Sequence, residues 1–342
     1  MNRLPLFCVL ALLGGVLGVL VPYAADAQSP AGGGGANVCA GAPTDMVCVS
    51  AGTFTMGSKI GDADEMPTHQ VTLSEFLIDK YEVTFGQYMQ CVQAQKCGVP
   101  RYYPPLKQRK EVGSETSLIK RLPGKGQGGA RPTAPQVVKV KVSTLMVDSS
   151  LPVAGITWTN AKNYCEFKGR HLPTEAQWEY AARGAQGNYY AWGGTPAICE
   201  RVNSSKCGKY PLPSQSLPEG KSPFGAHHMT GNVWEWVHDW YDAQYYGSAA
   251  NVTDPTGPAN LKDPVTANWK YRYRGLRGGS WSGIPSELRT AYRYRLLPSM
   301  YANDIGVRCA KAATPPTTRR TPSAPLRLAR TVRILGLSPR SR

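Results

Sequence analysis

Gly231-Asn232-Val233-Trp234-Glu235-Trp236, running on into Val237-His238-Asp239-Trp240-Tyr241, is the stretch on which the fold turns. Three of the chain's eight tryptophans fall within seven residues here, so the segment must lie where large rings can be covered. Alternation about Val233, Glu235 and Val237 predicts an extended segment with Trp234 and Trp236 on one face, toward a core. Asn232 and Glu235 offer oxygens beside a glycine that frees the backbone to turn, a combination suited to a hard cation such as calcium. The plainer reading, which the residues by themselves favour, is a buried aromatic strand with a solvated Glu235.

Working outward, Gly and Pro supply 64 of 342 residues, which argues for short regular elements joined by many loops and against a long helical bundle. Met1-Asn2-Arg3, an apolar run from Leu4 to Val21 and Ala25-Asp26-Ala27 have the layout of a secretory signal cleaved after Ala27. An uncleaved membrane anchor is the alternative. No later segment is long and apolar enough to cross a bilayer, so no transmembrane helix is expected once the signal is removed. Residues 28–38, with four consecutive glycines, read as a flexible linker.

Cys8 falls within the signal. The remaining eight cysteines, in a chain exported to an oxidising compartment, predict four disulfides. Proximity suggests Cys39 with Cys48, Cys91 with Cys97 and Cys199 with Cys207, leaving Cys165 and Cys309 for each other. Zinc competes as a reading, but no Cys-x-x-Cys pair supports it.

The net charge of +16 resides in two appendages. Residues 101–141 carry ten Lys or Arg against Glu111 and Glu115, and residues 311–342 carry eight basic residues and no acid, so the rest of the chain is neutral. The first lies in a Pro- and Gly-rich insertion at about 98–145, with a short hairpin arm expected at Val137 to Val142. The second is read as a disordered tail able to hold an anionic surface, without specific nucleic-acid recognition. Elsewhere, strands are expected at Met46–Val49, Gly52–Ser58, Pro67–Leu73 and Phe76–Val83. Thr84 caps a helix through Val92, Thr159 or Asn160 caps a second one ended by Gly169, and Thr174 with Gln177 forms a capping box for a third, stopped by Gly184.

Gly52-Thr53-Phe54-Thr55-Met56-Gly57-Ser58, Lys80-Tyr81-Glu82-Val83-Thr84, Arg170-His171-Leu172-Pro173-Thr174-Glu175 through Gly184, Gly231 through Trp236, Arg277-Gly278-Gly279-Ser280-Trp281 and Gly306-Val307-Arg308-Cys309-Ala310 occur in an order that resembles the formylglycine-generating enzyme, or sulfatase-modifying factor, family. The resemblance runs from about Met46 to Ala310, interrupted by the insertion. It implies one loop-rich α+β domain over 39–310 with a formylglycine-generating-enzyme-like, complex C-type-lectin-like fold. It also implies the bridge between Cys165 and Cys309.

In that family two cysteines shortly after the Gly-Gly-Ser-aromatic motif bind copper(I) and activate oxygen. Their positions fall here on Gly283 and Ala291, so copper is not expected and no catalytic residue is assigned. The resemblance further implies structural calcium at His228, Gly231, Val233 and Glu235, with His228 replacing an asparagine, and a weaker second site at Asn203 and Ser204. His227 and His228 together suggest a further, two-histidine metal site. Some relatives lack the copper cysteines, and others accompany signalling kinases. The expected function is a secreted or periplasmic binding or accessory protein holding a protein segment or an envelope component in a groove near Trp281, Tyr292 and Arg293. The alternative is an oxidoreductase or protein-modifying enzyme that uses another cofactor.

Overall fold

The computed structural model describes residue 39 and residues 41–102, 118–121, 137–140, 148–248, 252–261 and 272–313. The signal at 1–27, the linker at 28–38, most of the insertion and the tail from residue 314 lie outside the described residues.

Strand β1 (Met46–Val49) pairs antiparallel with β4 (Phe76–Asp79), Met46 opposite Asp79, and the far edge of β4 takes β12 (Ala310–Ala312). The first and last elements of the domain therefore share one sheet. β12 extends to Ala312, two residues past the boundary read from the sequence, because Lys311 and Ala312 pair with Leu77 and Phe76. A second sheet joins β2 (Gly52–Met56), β3 (His69–Leu73) and β8 (Val252–Thr253). Between these pieces, β5 (Leu118–Arg121) and β6 (Val137–Val140) form the two-stranded arm of the insertion.

The sheet that positions the site has the order β10 (Tyr294–Leu296), β9 (Arg274–Arg277), β7 (Trp234–Trp240) and β11 (Ile305–Gly306), the last parallel to β7. Tryptophan and valine suit the half-buried pleat of β7. Trp236 is wholly enclosed and gives its indole N–H to Ile156 O at 3.0 Å. The Arg274 guanidinium on β9 lies between the rings of Trp158 and Trp240, 3.7 and 3.5 Å from their centroids, a cation–π sandwich.

Three α-helices among the described residues brace the sheets. In α1 (Phe85–Gln93) and α3 (Glu175–Arg183), Thr84 and Thr174 accept from the N–H of Gln87 and Gln177 while those glutamines return the bond, so both capping boxes form. Helix α2 (Trp158–Phe167) is capped by Thr157, not by Thr159 or Asn160: the Thr157 hydroxyl accepts from Asn160 N at 3.3 Å. Four disulfides, Cys39–Cys48, Cys91–Cys97, Cys165–Cys309 and Cys199–Cys207, take up all eight described cysteines, leaving no thiolate among them for zinc.

Two large hydrophobic clusters result among the described residues, beside a smaller one at Tyr190, Val202 and Leu288. One gathers Phe54, Phe76, Trp178, Tyr180 and Val237, and the other gathers Tyr88, Ile156, Trp158, Trp234, Trp236 and Val307. Full burial of an apolar side chain such as Phe54 or Phe76 contributes about 1.5–3 kcal/mol.

Candidate functional site

The loop entering β7 and the loop leaving β9 meet at one end of the sheet. Gly231 N donates to Gly278 O at 2.7 Å and Trp281 N to Asn232 O at 2.7 Å, so the two motifs are stitched into one corner. The glycines are needed here. Gly231 has φ +79° and a Cβ would stand 2.4 Å from Asn203 O, while Gly279 has φ +74° and a Cβ would stand 2.9 Å from Glu287 O.

On this corner the Ser280 and Ser282 hydroxyls both donate to Asp304 Oδ2, at 2.7 and 2.8 Å, with 3.0 Å between the two hydroxyl oxygens. Trp234 N donates to Asp304 O, fixing the acid against β7. Aromatic rings flank the group: Trp234 stacks on Tyr294 at 5.1 Å and lies 5.9 Å from Tyr292, and Trp281 lies 6.3 Å from Tyr210. Burial, followed by Glu287, Asp62 and Asp64, pushes the Tyr292 phenol up to about 12, so it remains a hydrogen-bond donor at neutral pH. A cavity of about 390 Å³ adjoins, lined in part by Tyr189, Tyr190, Pro196, Lys206, Pro285 and Leu288.

Gly283 and Ala291 lie in this segment, both buried. Gly283 O accepts from the Ser205 N–H and hydroxyl, and Gly283 N donates to Ser280 O. Neither residue carries a sulfur, and every described cysteine is bridged, so the residues do not fit copper(I), which requires soft thiolate donors.

Trp281 and Tyr292 stand half-buried about the Asn232–Trp234 corner. Arg293 does not join them. Its side chain turns inward, with Nε 2.9 Å from Glu175 Oε1, Nη2 3.1 Å from Glu175 Oε2 and Nη1 2.7 Å from Asp64 O. A guanidinium so enclosed is a core charge and not a groove contact. Arg277, bonded to Glu179 and 3.4 Å from Glu175, extends the same buried network.

Glu235 likewise is not solvated. Its carboxylate is wholly buried and receives Arg308 Nε at 2.6 Å, Arg308 Nη2 at 2.7 Å and the Trp178 indole N–H at 2.7 Å. Burial, with the adjacent Glu235 charge, holds the Glu82 carboxyl well above the usual carboxylate range, and it accepts from Asn232 Nδ2 and Val233 N. Burial, then Arg308, brings the His228 imidazole down to about 3, so it is neutral. Both His227 and His228 end on Ser216, through its carbonyl and its hydroxyl. Among the described residues they join no cluster of metal-ligating side chains. His171 Nδ1 lies 2.9 Å from Leu172 O.

Ser280, Ser282, Asp304, Tyr294 and Tyr210 were not singled out in the sequence. The alternation of Ser280 and Ser282 about Trp281 is the signal that marks two of them.

The fold and corner define a disulfide-braced α+β domain of the formylglycine-generating-enzyme-like kind, with two hydroxyls gathered on one carboxylate at the corner. The sulfatase-modifying factor enzyme 1-like domain family matches residues 36–313, and the chain belongs to it. It is 31% identical over 303 residues to the formylglycine-generating enzyme of Streptomyces coelicolor, covering 78% of this chain and 89% of that protein. Serine/threonine-protein kinase pkn1 of Chlamydia pneumoniae is 32% identical over 277 residues, 78% of this chain, which spans only 38% of the length of that relative. The solved structure of PvdO from Pseudomonas aeruginosa superposes with a TM-score of 0.55 at 23% identity, over 78% of this chain and 94% of that one, and supports the fold.

Proposed function

We propose that the chain is an exported member of the family that lacks a copper-dependent oxidase centre and acts as a binding or accessory protein. It takes a protein segment or an envelope component in the cleft beside Trp281 and Tyr292. The observation that carries this reading is the pair Gly283 and Ala291: with no sulfur at either position and all eight described cysteines bridged, no thiol is left among the described residues to hold copper(I) or activate oxygen. What the cleft does offer is partly exposed rings and paired hydroxyls, groups suited to contact and hydrogen bonding. Four disulfides fit an oxidising compartment outside the cytosol.

Metal analysis of protein purified from its native compartment, joined to oxygen uptake on a cysteine-containing peptide, tests the reading. No stoichiometric copper or iron and no uptake above buffer are expected. Stoichiometric metal with thiol-dependent uptake overturns it in favour of an oxidoreductase using another cofactor.

A further inference from the structure

At the two places where the family resemblance puts calcium, Glu235, His228 and the Ser204 carbonyl already bond within the protein. At the first, Glu235 is the one charged ligand of the set, and the Arg308 guanidinium grips both of its oxygens. Arg308 completes its bonds inside the protein, with Nη1 3.0 Å from Asp79 O and Nη2 2.7 Å from His227 O. Calcium affinity is set largely by the number of charged oxygen ligands. With a full positive charge already on this carboxylate, what remains for an ion is neutral. The upstream ligand has become His228, a nitrogen donor whose Nε2 sits 3.2 Å from the Ser216 hydroxyl. Glu82, the other carboxylate packed here, already accepts from Asn232 Nδ2 at 2.7 Å and Val233 N at 3.2 Å.

At the second place Ser204 O accepts from Cys207 N at 2.8 Å and Gly208 N at 3.2 Å, in a turn closed by the Cys199–Cys207 bridge. Asn203 Nδ2 donates to Tyr210 O and Asn232 Oδ1, both at 3.0 Å, which ties that turn to the β7 corner. Of the two residues' described side-chain atoms, Asn203 Oδ1 is buried without a hydrogen-bond partner, and a single neutral oxygen does not make a calcium site.

We infer that Arg308 is the resident cation of the Gly231–Glu235 corner and that, with the Cys199–Cys207 turn, it makes this fold independent of calcium. The inference stands apart from the proposed function, since the corner would be held in the same way whatever the cleft binds. Thermal unfolding of the full chain in EGTA and in millimolar calcium tests it, beside calorimetric titration with calcium chloride. The wild-type Tm is expected to be the same in both buffers and the titration flat. Arg308→Gln, which leaves Glu235 bare, is expected to lower Tm and to gain a calcium response, the added ion raising its Tm. Arg308→Lys keeps the charge without the planar fork and should lower Tm with no calcium response. A wild-type Tm that falls in EGTA, a saturable calcium heat, or a folded Arg308→Gln protein indifferent to calcium overturns the inference. Should the glutamine variant fail to fold, the wild-type and lysine measurements decide the matter.

Discussion

At the mouth of the proposed cleft Ser282 and Tyr294 are exposed, and the Ser280 and Ser282 hydroxyls end on Asp304 in singly charged hydrogen bonds. One residue inward from Tyr294, Arg293 is enclosed with Glu175, and beside that pair run Arg277 with Glu179 and Arg308 with Glu235, all without access to water. The two regions share the strands β7, β9 and β10, yet their side chains do different work. The inner region fixes the corner by paired buried charges, each of which needs its partner. The outer region contains no atom on which the others depend. A scaffold divided in this way can exchange the chemistry at its mouth without disturbing what holds the mouth in place.

Substitution of Arg293 should break this contrast most visibly. Arg293→Met removes one member of a buried pair and leaves Glu175 without its principal partner, a change that costs about 3–5 kcal/mol. Urea unfolding monitored by tryptophan fluorescence is expected to show that loss. A loss below about 0.5 kcal/mol, the usual value for a surface change, would return Arg293 to the cleft.

Dependence on pH comes next, and its sign differs between groups. The folded-state pKa of His228 is depressed, to about 3, so its contribution to stability is fully present above the unfolded value near 6.5 and is lost as pH falls toward 3. Asp239 runs the other way. Burial and the Glu175 charge push it up to about 8, so its contribution is present below the unfolded value near 3.9 and is lost as pH rises through 8. His228→Asn, a residue that tolerates the φ of +53° found there, should flatten the acid limb of a stability–pH curve, and Asp239→Asn the alkaline limb. Unchanged limbs in both variants would mean that neither group is held in its neutral form by the fold.

The smallest effect belongs to the mouth. Ser282→Ala removes one of the two hydroxyls on Asp304 at an exposed position and should shift unfolding by less than about 0.5 kcal/mol. A larger shift in the urea midpoint would show that the hydroxyl pair is part of the framework.

How much of this was legible in the sequence depended on distance along the chain. The capping boxes at Thr84 and Thr174 involve residues three apart, and both can be read directly. The cap of α2 was placed at Thr159 or Asn160, a few residues later than the Thr157 that the structure uses. Arg293 was expected as a groove contact beside Tyr292, because its partner Glu175 lies 118 positions away and is not visible locally. Glu235 was misread in the same way, its partner Arg308 being 73 positions distant. Charge pairing across such separations leaves no local trace. The absence of sulfur at Gly283 and Ala291 is of the opposite kind, since it rests on the identity of two residues and requires no geometry.

The sheet that joins β1, β4 and β12 carries an implication for biosynthesis. A nascent polypeptide cannot close that sheet until Ala310–Ala312 has emerged, and Cys165 waits equally long for Cys309. Non-local pairing of this kind is slow to form. The domain therefore completes its fold only after its last strand has been made.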